Sequence, residues 1–177
     1  NAMGDTLRRN DRYSEGITAY DHAVELIKGP AKGYWALYYA RDICLEREKQ
    51  WDKAEADFLM SLKLSPDQPD VLNYLGYSYL EKNQKLDEAL SMIERAAKAR
   101  PDSGAISDSL AWAYYRLGRY AEAEKEMERA IQLLPVDAVL NDHLGDIYWA
   151  VGRKLEADFQ WKRALSFEPA TEEDTKR

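Results

Sequence analysis

The sequence has few of the residues that build disulfide frameworks and metal centres. Its 177 residues include one cysteine, Cys44, and two histidines, His22 and His143. A single cysteine excludes an internal disulfide framework and any zinc or iron–sulfur site made of several cysteines. The paired-histidine motif HExxH is also absent. We therefore predict no metal, no cofactor and no catalytic residue.

An excess of positive charge and long apolar runs are lacking as well. Lys and Arg total 25 against 32 Asp and Glu, which gives a net charge of −7 and a pI near 5.0. An acidic chain is a poor match for the phosphate backbone of a nucleic acid. No run approaches the ~18 consecutive apolar residues of a membrane-spanning helix. With 45% apolar residues, including 12 Tyr and 5 Trp, the chain can still form a folded core.

Proline is scarce, but its positions reveal a repeat. Four of the six prolines are separated by 35, 34 and 34 residues, namely Pro66, Pro101, Pro135 and Pro169. Two columns of small residues keep the same spacing: Ala54, Ala89, Ala123 and Ala157, then Ser61, Ala96, Ala130 and Ala164. Two columns of larger residues follow it closely: Leu45, Tyr79, Tyr114 and Tyr148, then Phe58, Ile93, Met127 and Trp161. The one extra residue falls within Glu81–Lys85 and predicts a longer turn there.

The spacing of apolar residues predicts helices independently of the repeat. Between positions 102 and 117, apolar side chains recur every three or four residues, which is the helical period. Gly118, Gly152 and Asn83 occupy positions where the first helix of a pair should end in a left-handed residue. The prolines follow each second helix, and Asp67, Asp102 and Asp137 stand where the next helix needs an N-cap or a negative charge. No segment alternates with period two, so we predict no strand.

These columns resemble the tetratricopeptide repeat, a helix–turn–helix unit of 34 residues. The last repeat carries the resemblance most fully, through Leu144-Gly145, Tyr148, Gly152, Ala157, Trp161, Ala164 and Pro169. The resemblance implies an all-α fold, a right-handed α-solenoid of about four full repeats after a partial one. The expected boundaries are 4–33 for the partial repeat and about 35–68, 69–103, 104–137 and 138–169 for the full ones. The repeat near Trp35 departs from the pattern, with Arg41-Asp42 in place of leucine and a small residue, and Lys49 in place of a turn glycine.

The resemblance also implies where a partner would bind. Such repeats bind peptides or partner helices on the concave side, which is formed by the first helix of each repeat. Reading those columns predicts a groove with an aromatic floor and acidic residues toward its C-terminal half. The predicted groove residues are Tyr39, Ile43, Asn73, Tyr74, Tyr77, Asp108, Trp112, Tyr115, Asp142, His143, Asp146 and Trp149.

Aromatic residues at helical spacing are also typical of a core, so both interpretations stay open for the floor. Column positions assign a second set to the core: Trp51, Phe58, Tyr79, Tyr114, Tyr148 and Trp161. Tyr77, Trp112 and Trp149 follow no column rule, which favours a surface role, and exposed aromatics are typical anchors of binding sites. Cys44 is predicted to be a packing residue and His22 a surface residue.

The charge of the predicted groove indicates the kind of partner. Asp108, Asp142 and Asp146 favour a basic or apolar protein segment, because opposite charge speeds encounter and excludes wrong partners. Some members of the family clamp a C-terminal carboxylate with Lys, Arg and Asn. This sequence has Asn73 in the predicted groove but no lysine there, and Arg116 is the nearest cation, so a clamp is not expected. We thus predict a non-enzymatic adaptor or scaffold that binds a protein or peptide, with no nucleic acid and no membrane-spanning segment.

Two other functions compete with the scaffold. His143 has Asp142 beside it and Asp146 one helical turn further on, a spacing that could support metal binding or acid–base chemistry. Alternatively, the chain is an architectural piece joined through its end repeats. No capping helix follows Ala164, so we expect the uncapped ends to self-associate.

The ends of the chain carry further expectations. Asn1–Met3 is read as a remnant of tag cleavage, and 170–177 as a charged, frayed tail. The sequence pattern predicts that the chain begins within its first repeat, as a piece of a longer protein would. Four stretches, 71–77, 141–146, 152–153 and 161–165, resemble proteobacterial proteins with many such repeats, some of them envelope lipoproteins or adaptors for periplasmic proteases. That resemblance suggests a bacterial periplasmic or outer-membrane location and leaves the cytoplasm open.

Overall fold

The described residues of the protein form five pairs of α-helices. The computed structural model describes residues 1–27, 29 and 32–167, and no strand occurs among them. The first helices of the pairs are α1 (Ala2–Arg9), α3 (Trp35–Arg47), α5 (Pro69–Glu81), α7 (Gly104–Arg116) and α9 (Ala138–Ala150). The second helices are α2 (Tyr13–Leu26), α4 (Trp51–Leu64), α6 (Leu86–Ala99), α8 (Tyr120–Leu133) and α10 (Lys154–Phe167), and a short 3-10 helix spans Lys32–Tyr34. The predicted all-α fold of helix–turn–helix repeats is confirmed.

The helices form two compact units, Asn1–Leu75 and Gly76–Arg177, and the boundary falls inside α5. In the first unit, Tyr20 packs with Ala40 and Cys44. In the second unit, α7, α8, α9 and α10 share one apolar core. Its buried members are Ala111, Ala123, Met127, Ala130, Leu140, Leu144, Ile147, Tyr148 and Ala157, with Tyr114 and Trp161 packed against them. The columns of small residues thus lie where paired helices approach each other.

The same turn joins the two helices of every pair. The second residue of this turn is left-handed, with φ of 74° at Gly118, 86° at Gly152 and 53° at Asn83, as predicted. In the first two pairs, which have neither glycine nor asparagine there, Asp11 and Lys49 take the same conformation with φ 56° and 59°. Each turn is closed by two hydrogen bonds of the Schellman type, such as Lys49 N to Glu46 O at 2.9 Å and Gln50 N to Leu45 O at 2.8 Å. The turn is therefore specified by geometry rather than by glycine alone.

The extra residue of the third pair lies inside its turn. Residues 82–85 connect α5 to α6, whereas three residues connect the helices of each other pair. Lys85, with φ 45°, is a second left-handed residue in this longer turn. The predicted longer turn is confirmed, and the insertion leaves the lengths of the helices unchanged at 13 and 14 residues.

Glycine at two column positions lets a first helix approach its second helix closely. A Cβ atom added at Gly76 would lie 2.7 Å from Ile93 Cγ1, and one at Gly145 would lie 2.4 Å from the ring of Trp161. The corresponding residue of α3 is Asp42, whose carboxyl group is fully buried. Beside it, Arg41 donates two hydrogen bonds to Asp57 at 2.6 and 2.7 Å and one to Asp21 at 2.8 Å. Arg41 and Asp42, which depart from the repeat pattern, thus belong to a polar interface between helices.

The starts of the helices correct one detail of the prediction. Asp137 caps α9 by accepting a hydrogen bond from Leu140 N at 3.0 Å, as expected. Ser103 rather than Asp102 caps α7, since the Ser103 hydroxyl accepts a hydrogen bond from Ile106 N at 3.4 Å. Pro66, Pro101 and Pro135 each follow a second helix by two residues, whereas Pro169 lies outside the described residues.

The two ends also bear on the predictions. Ala2 and Met3 belong to α1, and the Asn1 side chain accepts a hydrogen bond from Gly4 N, so these residues take part in the fold. The predicted tail at 170–177 lies outside the described residues, as do Lys28, Pro30 and Ala31 of the linker before α3.

Candidate partner-binding surface

The helices α7 and α9 and the end of α5 form one continuous surface in the second unit. We call it the first-helix surface. It carries most of the residues that the sequence placed in a groove: Tyr77, Asp108, Trp112, Tyr115, Asp142, His143, Asp146 and Trp149. Their exposure is uneven, since Asp108 and His143 are buried, Asp142 and Trp149 are exposed, and the others are half-buried.

A buried ion pair joins α7 to α9 below this surface. His143 Nδ1 lies 2.8 Å from Asp108 Oδ1, and less than a tenth of either side chain is exposed. Burial lowers the pKa of His143, but the hydrogen bond and the charge of Asp108 outweigh it, so the pKa is raised overall. Asp142 and Glu81 add to the upward shift. The imidazole is therefore held in its protonated form more firmly than in a peptide.

Trp112 covers this pair and is the centre of an aromatic stack. Its ring lies on the His143 ring, with centroids 4.0 Å apart and planes 12° apart, and on Tyr115 at 4.8 Å and 15°. Its indole N–H donates to Glu81 Oε1 at 2.9 Å, which links α7 to the end of α5. Arg116 approaches the same carboxylate at 3.7 Å and donates to Asn83 Oδ1 at 3.3 Å. Trp112 is thus half core and half surface.

The C-terminal end of the surface is its most exposed aromatic part. Trp149 is 52% exposed, and its ring centroid lies 5.7 Å from that of Trp161. Lys154 Nζ lies 4.9 Å from the Trp149 ring centroid. Asp146 accepts a hydrogen bond from Trp161 Nε1 at 3.1 Å, and burial raises the pKa of its carboxyl group. The indole ring of Trp149 and the carboxylates of Asp142 and Asp146 therefore lie along one face of α9.

Tyr77 lies at the other end, where its role is mainly packing. Burial raises the pKa of its hydroxyl, and the nearby charges of Glu81 and Asp108 add to the shift. The ring is half-buried, so it can flank a ligand but does not project as an anchor. The sequence alone made no distinction between Tyr77, Trp112 and Trp149.

The four predicted groove residues of the first unit lie on α3 and α5. Tyr74 stacks on the core residue Phe58 with centroids 5.5 Å apart, and Tyr39 meets Tyr74 edge-on at 6.3 Å. Burial raises the pKa of Tyr74 to about 12. Ile43 and Asn73 are half-buried. Tyr74 therefore serves the core more than the surface.

The structure does not join the three residues of the predicted metal or acid–base cluster. His143 bonds to Asp108 of the preceding pair, Asp142 faces solvent and Asp146 bonds to Trp161. No group of three His, Cys, Asp or Glu side chains in the described part of the chain is placed to hold a metal ion. Sequence reasoning missed the Asp108–His143 pair, although the 35-residue separation, one repeat plus one position, is the signal that could have found it.

Cys44 and His22 lie as predicted. Cys44 is buried, and burial raises the pKa of its thiol to about 11, which leaves it unreactive. His22 is exposed on α2.

Comparison with known proteins explains this architecture. Residues 74–138 match the family model described as the tetratricopeptide repeat. Residues 74–138 are therefore similar to tetratricopeptide repeats. A curated tetratricopeptide repeat-containing protein of Pseudomonas aeruginosa is 35% identical over 89 residues, which are 50% of this chain and 15% of that protein. The chain thus spans about a seventh of the relative's length.

Solved structures of other repeat proteins have the same fold. PilW, described as a widely conserved type IV pilus biogenesis factor, superposes with a TM-score of 0.83 at 18% identity, covering 98% of this chain and 78% of PilW. PilF of Pseudomonas aeruginosa gives 0.77 at 14% identity, with coverages of 98% and 77%. MamA AMB-1 gives 0.75 at 23% identity, with coverages of 94% and 95%. At these identities the likeness concerns the fold. In the part of the chain that the structure describes, no helix is both long and apolar enough to cross a membrane.

Proposed function

We propose that this chain is a non-enzymatic scaffold that binds a segment of a partner protein on the first-helix surface. The observation that carries the proposal is the exposed ring of Trp149, beside Asp142 and Asp146 on a surface floored by Trp112 and Tyr115. Aromatic rings that are rigid and partly exposed are typical centres of binding energy in protein interfaces. The tetratricopeptide fold supports the same conclusion, because its repeats serve protein–protein interaction.

The chemistry of the surface favours a basic or apolar segment. A Lys or Arg side chain can lie over the face of Trp149 and reach a carboxylate within the same turn of helix. Lys154 already occupies a position of this kind at 4.9 Å, which indicates that the ring accepts a cation. Acidic segments would meet Asp142 and Glu81 and be repelled.

Peptide selection tests the proposed partner chemistry. A random peptide library is selected on the immobilised wild-type chain at low salt, and binders are compared with the unselected library for net charge and aromatic content. We expect enrichment of basic and apolar peptides. Trp149→Ala should weaken the selected peptides about tenfold or more, in the range of an interface anchor, and Asp142→Lys should shift the selection toward acidic peptides.

Two matched variants control for nonspecific effects. Phe159→Ala removes another exposed aromatic ring, on α10, and Glu25→Lys makes the same charge change on the exposed side of α2. Both should bind the selected peptides like the wild type. Equal enrichment of acidic and basic peptides, or equal loss in the control variants, would contradict the proposal. Affinity capture from the native extract, compared between wild type and Trp149→Ala, then identifies the partner.

A second candidate function is architectural, with the end repeats joining larger assemblies. Leu165 is 70% exposed, whereas the corresponding residue of α8, Ile131, packs on the core formed with α9. The end of α10 thus offers an apolar surface of the kind that the next repeat covers elsewhere. Leu165→Glu should abolish such association and leave peptide binding intact, which separates the two functions.

We also propose that the protein acts in a bacterial envelope. The support is the resemblance of four stretches to proteobacterial repeat proteins, the relative in Pseudomonas aeruginosa and the description of PilW as a pilus biogenesis factor. Fractionation of native cells with an antibody to this chain tests the location. Recovery in the cytoplasmic fraction alone would contradict it.

A further inference from the structure

The last helix carries two apolar side chains where the other second helices are polar or small. Leu155 is 86% exposed and Phe159 is 60% exposed. The equivalent residues of α4, α6 and α8 are also exposed, so these two columns face solvent in each full repeat. They are Asp52, Asp87 and Ala121 for the first column, and Ala56, Ser91 and Lys125 for the second.

This position separates the two side chains from the stacking surface at the end of α10. The column of Leu165 packs between successive pairs, as Ile131 shows. The columns of Leu155 and Phe159 do not, because their equivalents stay exposed when a following pair is present. An additional repeat would therefore leave Leu155 and Phe159 uncovered.

Two charged residues of α10 near Leu155 and Phe159 lie symmetrically about residue 160. Asp158 and Lys162 lie one turn apart on the same side of α10, with Asp158 Oδ2 2.5 Å from Lys162 Nζ and both side chains mostly exposed. Leu155, Asp158, Phe159 and Lys162 follow each other at spacings of three, one and three, which places them on one face. We call these four residues the outer face of α10.

We propose that the outer face of α10 docks on the outer face of α10 in a second copy of this chain, with the two helices antiparallel. A two-fold axis at residue 160 brings Asp158 of each copy opposite Lys162 of the other. The same axis brings the two Phe159 rings together, and Leu155 flanks them on each side. The face is thus complementary to itself in both charge and apolar area, which is the requirement for a closed two-fold interface.

The dimer is weak and depends on concentration. One 14-residue helix face buries less area than the roughly 800 Å² per partner of a standard stable complex. Burial of Leu155 and Phe159 supplies the attraction, while the ion pairs set the direction and the register. The first-helix surface plays no part in this contact, so the dimer does not depend on the proposed function.

Sedimentation equilibrium on the full chain at 150 mM salt, from micromolar to millimolar concentration, tests the proposal. The wild type should fit a monomer–dimer equilibrium. The variant Leu155→Asp/Phe159→Ser should stay monomeric, which corresponds to a loss of affinity of more than about tenfold. Both new residues already stand in these columns of other pairs, so the variant keeps the fold, and circular dichroism verifies it.

A charge series tests the antiparallel register. Asp158→Lys and Lys162→Asp should each weaken the dimer about tenfold, and the double exchange should restore it. Lys125→Asp, the same charge change on exposed α8, should leave the dimer unchanged. A wild type that is monomeric at millimolar concentration, a dimer that survives Leu155→Asp/Phe159→Ser, or a double exchange that fails to restore association would overturn the proposal.

Discussion

A missing methyl group sets how closely α9 approaches α10. An added Cβ at Gly145 would lie 2.4 Å from Cδ1 and Nε1 of Trp161, a ring that is itself fixed by its hydrogen bond to Asp146. Alanine is the better helix former by about 1 kcal/mol, but overpacking a fitted interface costs about 1–3 kcal/mol. We expect Gly145→Ala to lower the free energy of unfolding by about 1 kcal/mol, measured by urea denaturation.

The same substitution in a second background isolates the cause. When Trp161→Leu removes the ring, Gly145→Ala should become neutral or stabilising, and the double-mutant cycle gives the coupling. Equal effects of Gly145→Ala in both backgrounds would show that the close approach is not what glycine provides.

The amount by which buried Asp42 destabilises the fold depends on pH. The residue stands where other pairs have Gly76, Ala111 and Gly145, and neither carboxylate oxygen has a hydrogen-bond partner among the described residues. Burial, with a contribution from Asp57, raises its pKa well above the ordinary value. The folded state therefore keeps a proton that the unfolded state releases, so stability falls as pH rises above about 4 toward the folded pKa.

Asp42→Ala should remove this decline. We expect the variant to be more stable than the wild type by about 1–3 kcal/mol at neutral pH, which is the cost of a buried unsatisfied group, and less so at pH 4. Urea unfolding between pH 4 and pH 8 measures both curves. A variant that is less stable than the wild type at pH 8 would contradict the argument.

At the scale of the elements, the repeated turn is the most predictable feature. Every pair uses a left-handed residue and two hydrogen bonds, and only Gly118 and Gly152 adopt that conformation without strain. Lys49→Gly should stabilise the turn between α3 and α4 by about 1 kcal/mol, the usual cost of a left-handed residue with a side chain. Glu48→Gly, one residue earlier at φ −81°, should instead be destabilising, and thermal or urea unfolding compares them.

The pair of Asp108 and His143 joins two first helices and gives that junction a pH dependence. The folded pKa of His143 is raised, so the pair contributes fully below the unfolded pKa of about 6.5 and its contribution is lost as pH rises through the folded value. Asp108→Ala leaves the imidazole buried without its counter-charge, which should cost about 3 kcal/mol near pH 6. The pH dependence of the free energy of unfolding should also reverse in this variant. Burial alone lowers the pKa of His143, so stability should then rise with pH.

An NMR titration measures the change at the residue itself. The Cε1–H resonance of His143 should titrate at higher pH in the wild type than in Asp108→Ala. An unchanged titration of His143 would show that Asp108 does not stabilise the protonated imidazole. Urea unfolding at pH 5 and pH 8 provides the matching stability values.

The turns could be predicted from the sequence, whereas the Asp108–His143 pair could not, because the turns are local and the pair is not. Turns, helix ends and small columns depend on residues within one repeat, so spacing alone located Gly118, Asn83 and the long turn at Glu81–Lys85. The partner of His143 lies on another helix, and neighbours along one helix suggested Asp142 and Asp146 instead. Likewise, the exposure of Trp112 and Trp149 depends on which rings stack, and a column pattern does not contain that information.

At the scale of the whole molecule, the net charge of −7 should act on the rate of binding. A basic peptide approaches an acidic protein faster at low salt, and screening at physiological ionic strength shortens the reach of this attraction to about 8 Å. We expect the association rate of a selected basic peptide to fall about tenfold between 20 and 150 mM salt, with little change in its dissociation rate. Surface plasmon resonance measures both, and an uncharged selected peptide is the control.

In the pairs α7–α8 and α9–α10, contacts at both ends hold the two helices together. Arg129 of α8 donates to Pro101 O in the loop before α7, and Arg163 of α10 donates to Pro135 O in the loop before α9 at 3.1 Å. At the opposite end, Arg119 lies over Tyr114 at 4.6 Å and Arg153 over Tyr148 at 4.1 Å. Each of these two pairs thus carries the contacts that hold its own helices together. A tandem copy of residues 101–134 would keep those contacts but would place Ser109 where His143 meets Asp108, so only the junction between the copies would need redesign.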